Sequence, residues 1–206
     1  MKKFELTTEF ITNFLGTKLF RIKALVEFGK VEKGELGGFV EKEENLDHDG
    51  DAWVSGDAMV YGNARVSGNA EVYGDAEVYG NAEVYGNARV YGDARVYGNA
   101  RVSGNARVYG NAWVSGNARV SGDAWVSGDQ MYAAVKGFGS EYRNTTFFIT
   151  KDGNVCVNCG CFSGTLEQFR EKVEETHKDT KYAKEYLMIA DLMEMHFKEE
   201  LEKIKK

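Results

Sequence analysis

Proline is absent from the chain, cysteine is confined to three residues between Cys156 and Cys161, and histidine occurs only at His48, His177 and His196. Without proline, every tight turn must rest on Gly, Asn and Asp, which tolerate left-handed or turn backbone. Three clustered cysteines do not make an even disulfide framework, which suits a reducing compartment. No apolar run approaches the roughly 20 residues that span a bilayer, and MKKFELTTEF has two lysines but no hydrophobic signal segment behind them. The chain therefore reads as cytoplasmic, with no membrane partner. A basic excess is missing as well: 26 Lys and Arg against 32 Asp and Glu leave a net charge of -6. That balance argues against a nucleic-acid binder, which needs a basic stripe to neutralise phosphates. At 206 residues the chain is still long enough to bury a core.

What it has in abundance is one phrase, Gly-(Asn/Asp)-Ala-x-Val-(Tyr/Ser), repeated from about Asp51 to Asp129. Valines recur every six residues from Val54 to Val126, thirteen in all, each with an alanine two positions before it. A helix cannot hold such a stripe, because six residues rotate it by about 240°. Strand-turn units can: Ala and Val face inward, x and Tyr/Ser face outward, and Gly-(Asn/Asp) makes the corner. A coil with three six-residue sides has a period of 18, and the x positions test it. Glu71, Glu77 and Glu83 lie 18 residues before Arg89, Arg95 and Arg101, so a rung of glutamates should sit beneath a rung of arginines.

These hexads resemble the left-handed parallel β-helix of the hexapeptide-repeat superfamily. The resemblance implies the left hand; general crossover rules would favour the other. The fold expected is mainly β, a β-helix of about four coils over residues 37–129 with an N-terminal β-hairpin cap over 1–36 and a C-terminal ββαα module over 130–206. Val40 and Leu46 continue the spacing backwards, but eight residues separate Leu46 from Val54, which predicts a distorted first coil with a two-residue bulge around Asp47 to Asp49. The hairpin should turn near Leu15-Gly16-Thr17 and cover the lower end of the solenoid. Past Val126 the pattern fails at Gln130 and Tyr132. FFITKDGNVCVNCGCF then reads as a hairpin about Asp152-Gly153. Thr165 to Gln168 form a capping box for a helix to about His177, and a second helix begins near Asp179 or Thr180. LFRIKALVEFGKVEKGELGGFVEKEENL resembles the leader of bacterial and prophage β-helix proteins, and CGCFSGTLEQF resembles a small domain of phage and prophage proteins.

Most enzymes of the hexapeptide superfamily are acyltransferases, so the resemblance implies acyl-CoA chemistry with a histidine base on or near the coil. No histidine lies between Asp51 and Asp129 and no loop interrupts the hexads, which leaves His48 as the weak catalytic candidate. Cys156, Cys159 and Cys161 with His177 are candidate zinc ligands, though Cys156 should point away from Cys159 and Cys161 on a strand; buried packing is the default. No cofactor is expected. The outward positions make a candidate binding surface: Tyr73, Tyr91 and Tyr109 on one face, Tyr61, Tyr79 and Tyr97 on another, Tyr85 on the third, and Trp53, Trp113 and Trp125 toward the ends. Stacked tyrosines can stabilise a ladder with no partner, but aromatics flanked by arginines also mark interfaces. The reading is a non-catalytic binding or scaffolding protein whose partners are itself, as a homotrimer or other homo-oligomer, or an unidentified host or phage protein. The phage resemblance adds an anti-defence alternative, binding a host protein or sequestering a nucleotide signal between subunits, whose phosphates Arg65, Arg89, Arg95, Arg101, Arg107 and Arg119 could contact.

Overall fold

A computed structural model describes residues 2–204. Its body is a parallel β-solenoid of about five turns with three walls. Val40, Val60, Val78, Val96 and Val114 stack in the first wall. Leu46, Val66, Val84, Val102 and Val120 stack in the second, and Val54, Val72, Val90, Val108 and Val126 in the third. Partners are 18 residues apart from Val54 onward, whereas Val40 meets Val60 and Leu46 meets Val66 across 20. The two extra residues fall between Leu46 and Val54, as the spacing predicts. The expectation of about four coils is low by one, because this irregular first turn takes a full place in the stack.

Alanine and valine fill the inside of the coil without exposure. Alanine sits beside the corners, where converging walls leave room for one methyl group; valine sits mid-wall, where β-branched side chains pack well. The corners need glycine for two reasons. Gly86 has φ +72°, and a Cβ there would lie 3.0 Å from the backbone nitrogen of Gly104 one turn on.

The N-terminal hairpin joins β1 (Phe4–Thr12) to β2 (Lys18–Ala24), turning where Gly16 adopts φ +80° and donates its N–H to the Asn13 carbonyl at 3.0 Å. Its β2 pairs with β3 (Leu36–Val40), so the hairpin covers the lower end by prolonging the first wall. The cross-section below the first turn is closed by Phe4, Ile22 and the buried Lys3, whose ammonium donates to the carbonyls of Gly50 at 3.1 Å and Ala52 at 2.9 Å.

At the other end the coil stops at a short 3-10 turn, Asp129–Met131, and an antiparallel sheet follows. The sheet has four strands where the sequence predicts two: Tyr132–Val135 and Phe162–Thr165 flank the expected hairpin of Thr145–Ile149 and Val155–Cys159. The flanking strands are four residues each and lack apolar alternation, so their pairing is a tertiary event. Helix α1 (Leu166–His177) begins on the predicted box: Thr165 Oγ1 accepts from Gln168 N–H at 3.2 Å, and Gln168 Oε1 accepts from Thr165 N–H at 2.9 Å. Helix α2 (Lys181–Ile204) buries Ala183, Tyr186, Ile189, Ala190, Met193 and Phe197. Among the described residues no helix is long and apolar enough to cross a membrane.

Candidate binding surface

Each outward column follows from the 18-residue register. Arg89 lies over Glu71 at 3.1 Å, Arg95 over Glu77 at 3.2 Å and Arg101 over Glu83 at 3.0 Å. The exposed pairs add at most about 1 kcal/mol each. Glu77 is nearly buried and also accepts from the Tyr61 hydroxyl at 3.0 Å, so it is held from two sides. One rung higher Arg95 meets an indole, its guanidinium 5.1 Å from the centroid of Trp113, whereas Arg89 and Arg101 are followed by Arg107 and Arg119; Arg107 in turn lies 5.4 Å from the centroid of Trp125. Two corners carry asparagine ladders, Asn63 to Asn117 and Asn69 to Asn105, each amide donating to the next at 3.0 to 3.2 Å.

The tyrosines stack as predicted. Tyr61, Tyr79 and Tyr97 form one column on the first wall with centroids 5.0 Å apart, and Tyr73, Tyr91 and Tyr109 form another on the third wall at 4.8 and 5.0 Å. All four pairs are within 8° of parallel. Burial against neighbouring rings pushes the Tyr73, Tyr79 and Tyr91 hydroxyls above the ordinary phenol range. On the third wall the stack stands beside Arg89 and Arg107. Two recesses meet there at Asn87 and Arg89. One is bounded by the N-terminal loop at Lys30 and the other by Lys151 of the C-terminal sheet, so a single furrow runs along this wall.

A family model, the YdcK beta solenoid repeat, matches residues 52–68, 58–74, 82–98, 88–104, 94–110, 100–116 and 112–128. The chain carries a YdcK-type β-solenoid. These matches lie within the coil and leave the N-terminal hairpin and the C-terminal sheet and helices outside. No curated protein matches the chain.

Away from the YdcK-type repeat, the candidate catalytic and metal residues fare differently. His48 sits in the two-residue bulge, stacked on Phe4 at 4.4 Å; its Nδ1 accepts from Lys3 N–H at 3.1 Å and its Nε2 lies 3.7 Å from Glu43. It is partly buried and pegs the N-terminal strand to the first turn. Cys161 lies in the turn after the strand ending at Cys159, a correction to its expected place on that strand. Cys159, Cys161 and His177 nevertheless line one recess with Tyr186 and Phe169. Cys156 points from the opposite side of the strand toward the solenoid, where burial, then the Asp123 carboxylate, pushes its thiol up. Among the described residues no three His, Cys, Asp or Glu side chains gather as a metal site.

Several residues that shape this surface escape sequence reading. Part of the top turn of the YdcK-type coil is covered by side chains of the C-terminal module: Asn158 donates to the Arg119 carbonyl at 2.8 Å, Asn144 to the Asn117 carbonyl at 3.0 Å, and Thr146 Oγ1 accepts from Arg119 N–H at 2.9 Å. Asn158 is polar on a buried strand, which was the available signal. A second signal lies in the hexads themselves: all three tryptophans occur as Ala-Trp-Val-Ser, at Trp53, Trp113 and Trp125. Wherever a tryptophan takes the x position, serine replaces tyrosine beside it, and a ring column stops.

Proposed function

We propose that the protein is a non-catalytic binding or scaffolding protein, its solenoid a rigid post whose third wall docks a second copy of the chain or another protein. The observation that carries this reading is the furrow along that wall, lined by Tyr73, Arg89, Arg107 and Trp125 between Lys30 and Lys151 of the two terminal modules, on the same wall as the stack of Tyr73, Tyr91 and Tyr109. Tyrosine and arginine are the residues enriched where interfaces bind most strongly. The stack is preorganised, so little side-chain entropy is lost on docking. The uninterrupted coil also supports this reading over acyl transfer, since the register admits no loop from Val54 to Val126 that could wall an acceptor pocket. The left-handed winding, the phage or prophage source and a cytosolic location belong to the same reading; three unpaired cysteines support a reducing compartment.

Native mass spectrometry of the purified full-length protein tests it. The expected result is a ligand-free homo-oligomer that Arg107→Glu converts to monomer without lowering the melting temperature. A CoA-sized mass retained by the wild-type protein would overturn the non-catalytic reading in favour of acyl transfer. A monomer at every concentration would remove self-association and leave docking of a different protein.

A further inference from the structure

The ring column on the first wall stops one turn short of the top of the coil. Adjacent parallel strands lie about 4.8 Å apart, so the rings of Tyr61, Tyr79 and Tyr97 stack with offset centroids at 5.0 Å, an arrangement aromatic pairs favour. Above Tyr97 the next position is Ser115, too short to cover a ring. A cavity of about 490 Å³ opens there, lined by Tyr97, Trp113, Ser115, Asn117, Asp129 and Tyr132 among others. Not every column ends this way. Tyr61, at the foot of the same column, is buried with Leu19 and Phe39, and above Tyr109 the corresponding Ser127 is met by the thioether of Met131 at 2.8 Å. Among the described residues no ring stacks on the upper side of Tyr97, although Tyr132 and the half-exposed Trp113 stand beside the cavity.

Two polar groups at this cavity are uncommitted. Asn117 ends the ladder that begins at Asn63; its Oδ1 accepts from Asn99 at 3.1 Å, and its own Nδ2 has no acceptor among the described residues. Asp129 uses Oδ1 to accept from Trp113 N–H at 2.7 Å, and its Oδ2 has no donor among them. The Tyr132 hydroxyl is already spent on the Trp113 carbonyl at 2.5 Å. The cavity thus offers an aromatic floor, one amide donor and one carboxylate acceptor. We propose that it binds a planar, neutral heteroaromatic ring with both a hydrogen-bond donor and an acceptor, of the nucleobase class, which takes the place of the missing fourth ring. Stacking on an aromatic side chain is tolerant of base identity, and the donor and acceptor select among bases. The Asp129 carboxylate opposes an anionic group held directly against the ring.

The test is calorimetric titration of the full chain with adenosine, guanosine, cytidine and uridine, with tryptophan fluorescence followed in parallel. At least one nucleoside is expected to bind saturably, with a Kd between about 1 μM and 1 mM. Ser115→Tyr supplies the protein's own ring and should abolish binding while the thermal melt is kept. Asn117→Asp keeps the acceptor for Asn99 but removes the donor. The neighbouring column already ends in Asp123, which accepts from Asn105 at 3.1 Å, so the coil tolerates the exchange. That variant should lose affinity by at least ~10-fold, and it decides the matter alone if Ser115→Tyr fails to fold. Absence of binding by all four nucleosides, or unchanged affinity in both variants, overturns the proposal. Either result leaves the docking reading of the third wall standing, since the two sites lie on different walls.

Discussion

Trp53 and Trp113 hold the same place in the repeat at opposite ends of one coil, and their surroundings differ completely. Trp53 is 6% exposed, covered by the N-terminal loop and packed edge-on against Phe28 at 5.4 Å, while Trp113 is 45% exposed. The lower end is closed by continuity: β2 extends a wall, and the Lys3 ammonium fills the cross-section. The upper end is closed at scattered points: Asn144, Thr146 and Asn158 reach the last turn with their side chains, one backbone bridge joins Ala124 to Thr150, and together they cover only part of it. A cap that extends a sheet of the coil buries what it touches; a separate sheet that meets the last turn at scattered points leaves recesses between them.

The largest effect that would break this contrast is at the tryptophans. Trp53→Ala should cost about 3–5 kcal/mol, as for large aromatic truncations in a core. Trp113→Ala should stay within about 1 kcal/mol because its ring is half in solvent. Urea denaturation of the two variants measures both, and equal losses would mean that the upper end is as closed as the lower. Next in size is Asn158→Ala, which leaves the Arg119 carbonyl without its donor and should cost about 1–3 kcal/mol. Hydrogen exchange should then rise in the turn around Val120 and not around Val54; a uniform rise would show that the modules unfold as one. The smallest effect is chemical. Iodoacetamide near neutral pH should modify the exposed Cys161 before Cys156, whose thiol burial and Asp123 hold protonated above its usual pKa. Raising the pH brings Cys156 toward its thiolate and should narrow the gap. Preferential labelling of Cys156, read by peptide mass spectrometry, would show that the sheet stands away from the coil.

The coil was legible because its constraints are periodic. Every hexad restates the same inward Ala and Val and the same corner, so the register, the Glu71–Arg89 type of pairing and the tyrosine columns all follow from spacing. The hairpin turn at Gly16 and the capping box at Thr165 were legible for a different reason, since each is closed by hydrogen bonds within a few residues. The four-residue strands Tyr132–Val135 and Phe162–Thr165 were not legible, as they exist only by pairing with the hairpin between them. The role of His48 was hidden for the same cause: its partners, Lys3 and Phe4, are more than 40 residues away.

The sequence by itself determined the solenoid, its 18-residue register and which residue types face outward, because those depend on interactions that repeat identically from turn to turn. Only the tertiary structure decided where the ring columns end in packing and where they end in open space. Ser55, Ser115 and Ser127 are the same letter in the same place. What lies against each one, a loop beside Trp53, a cavity above Tyr97 or the thioether of Met131, depends on modules distant in the chain whose burial leaves no period to read.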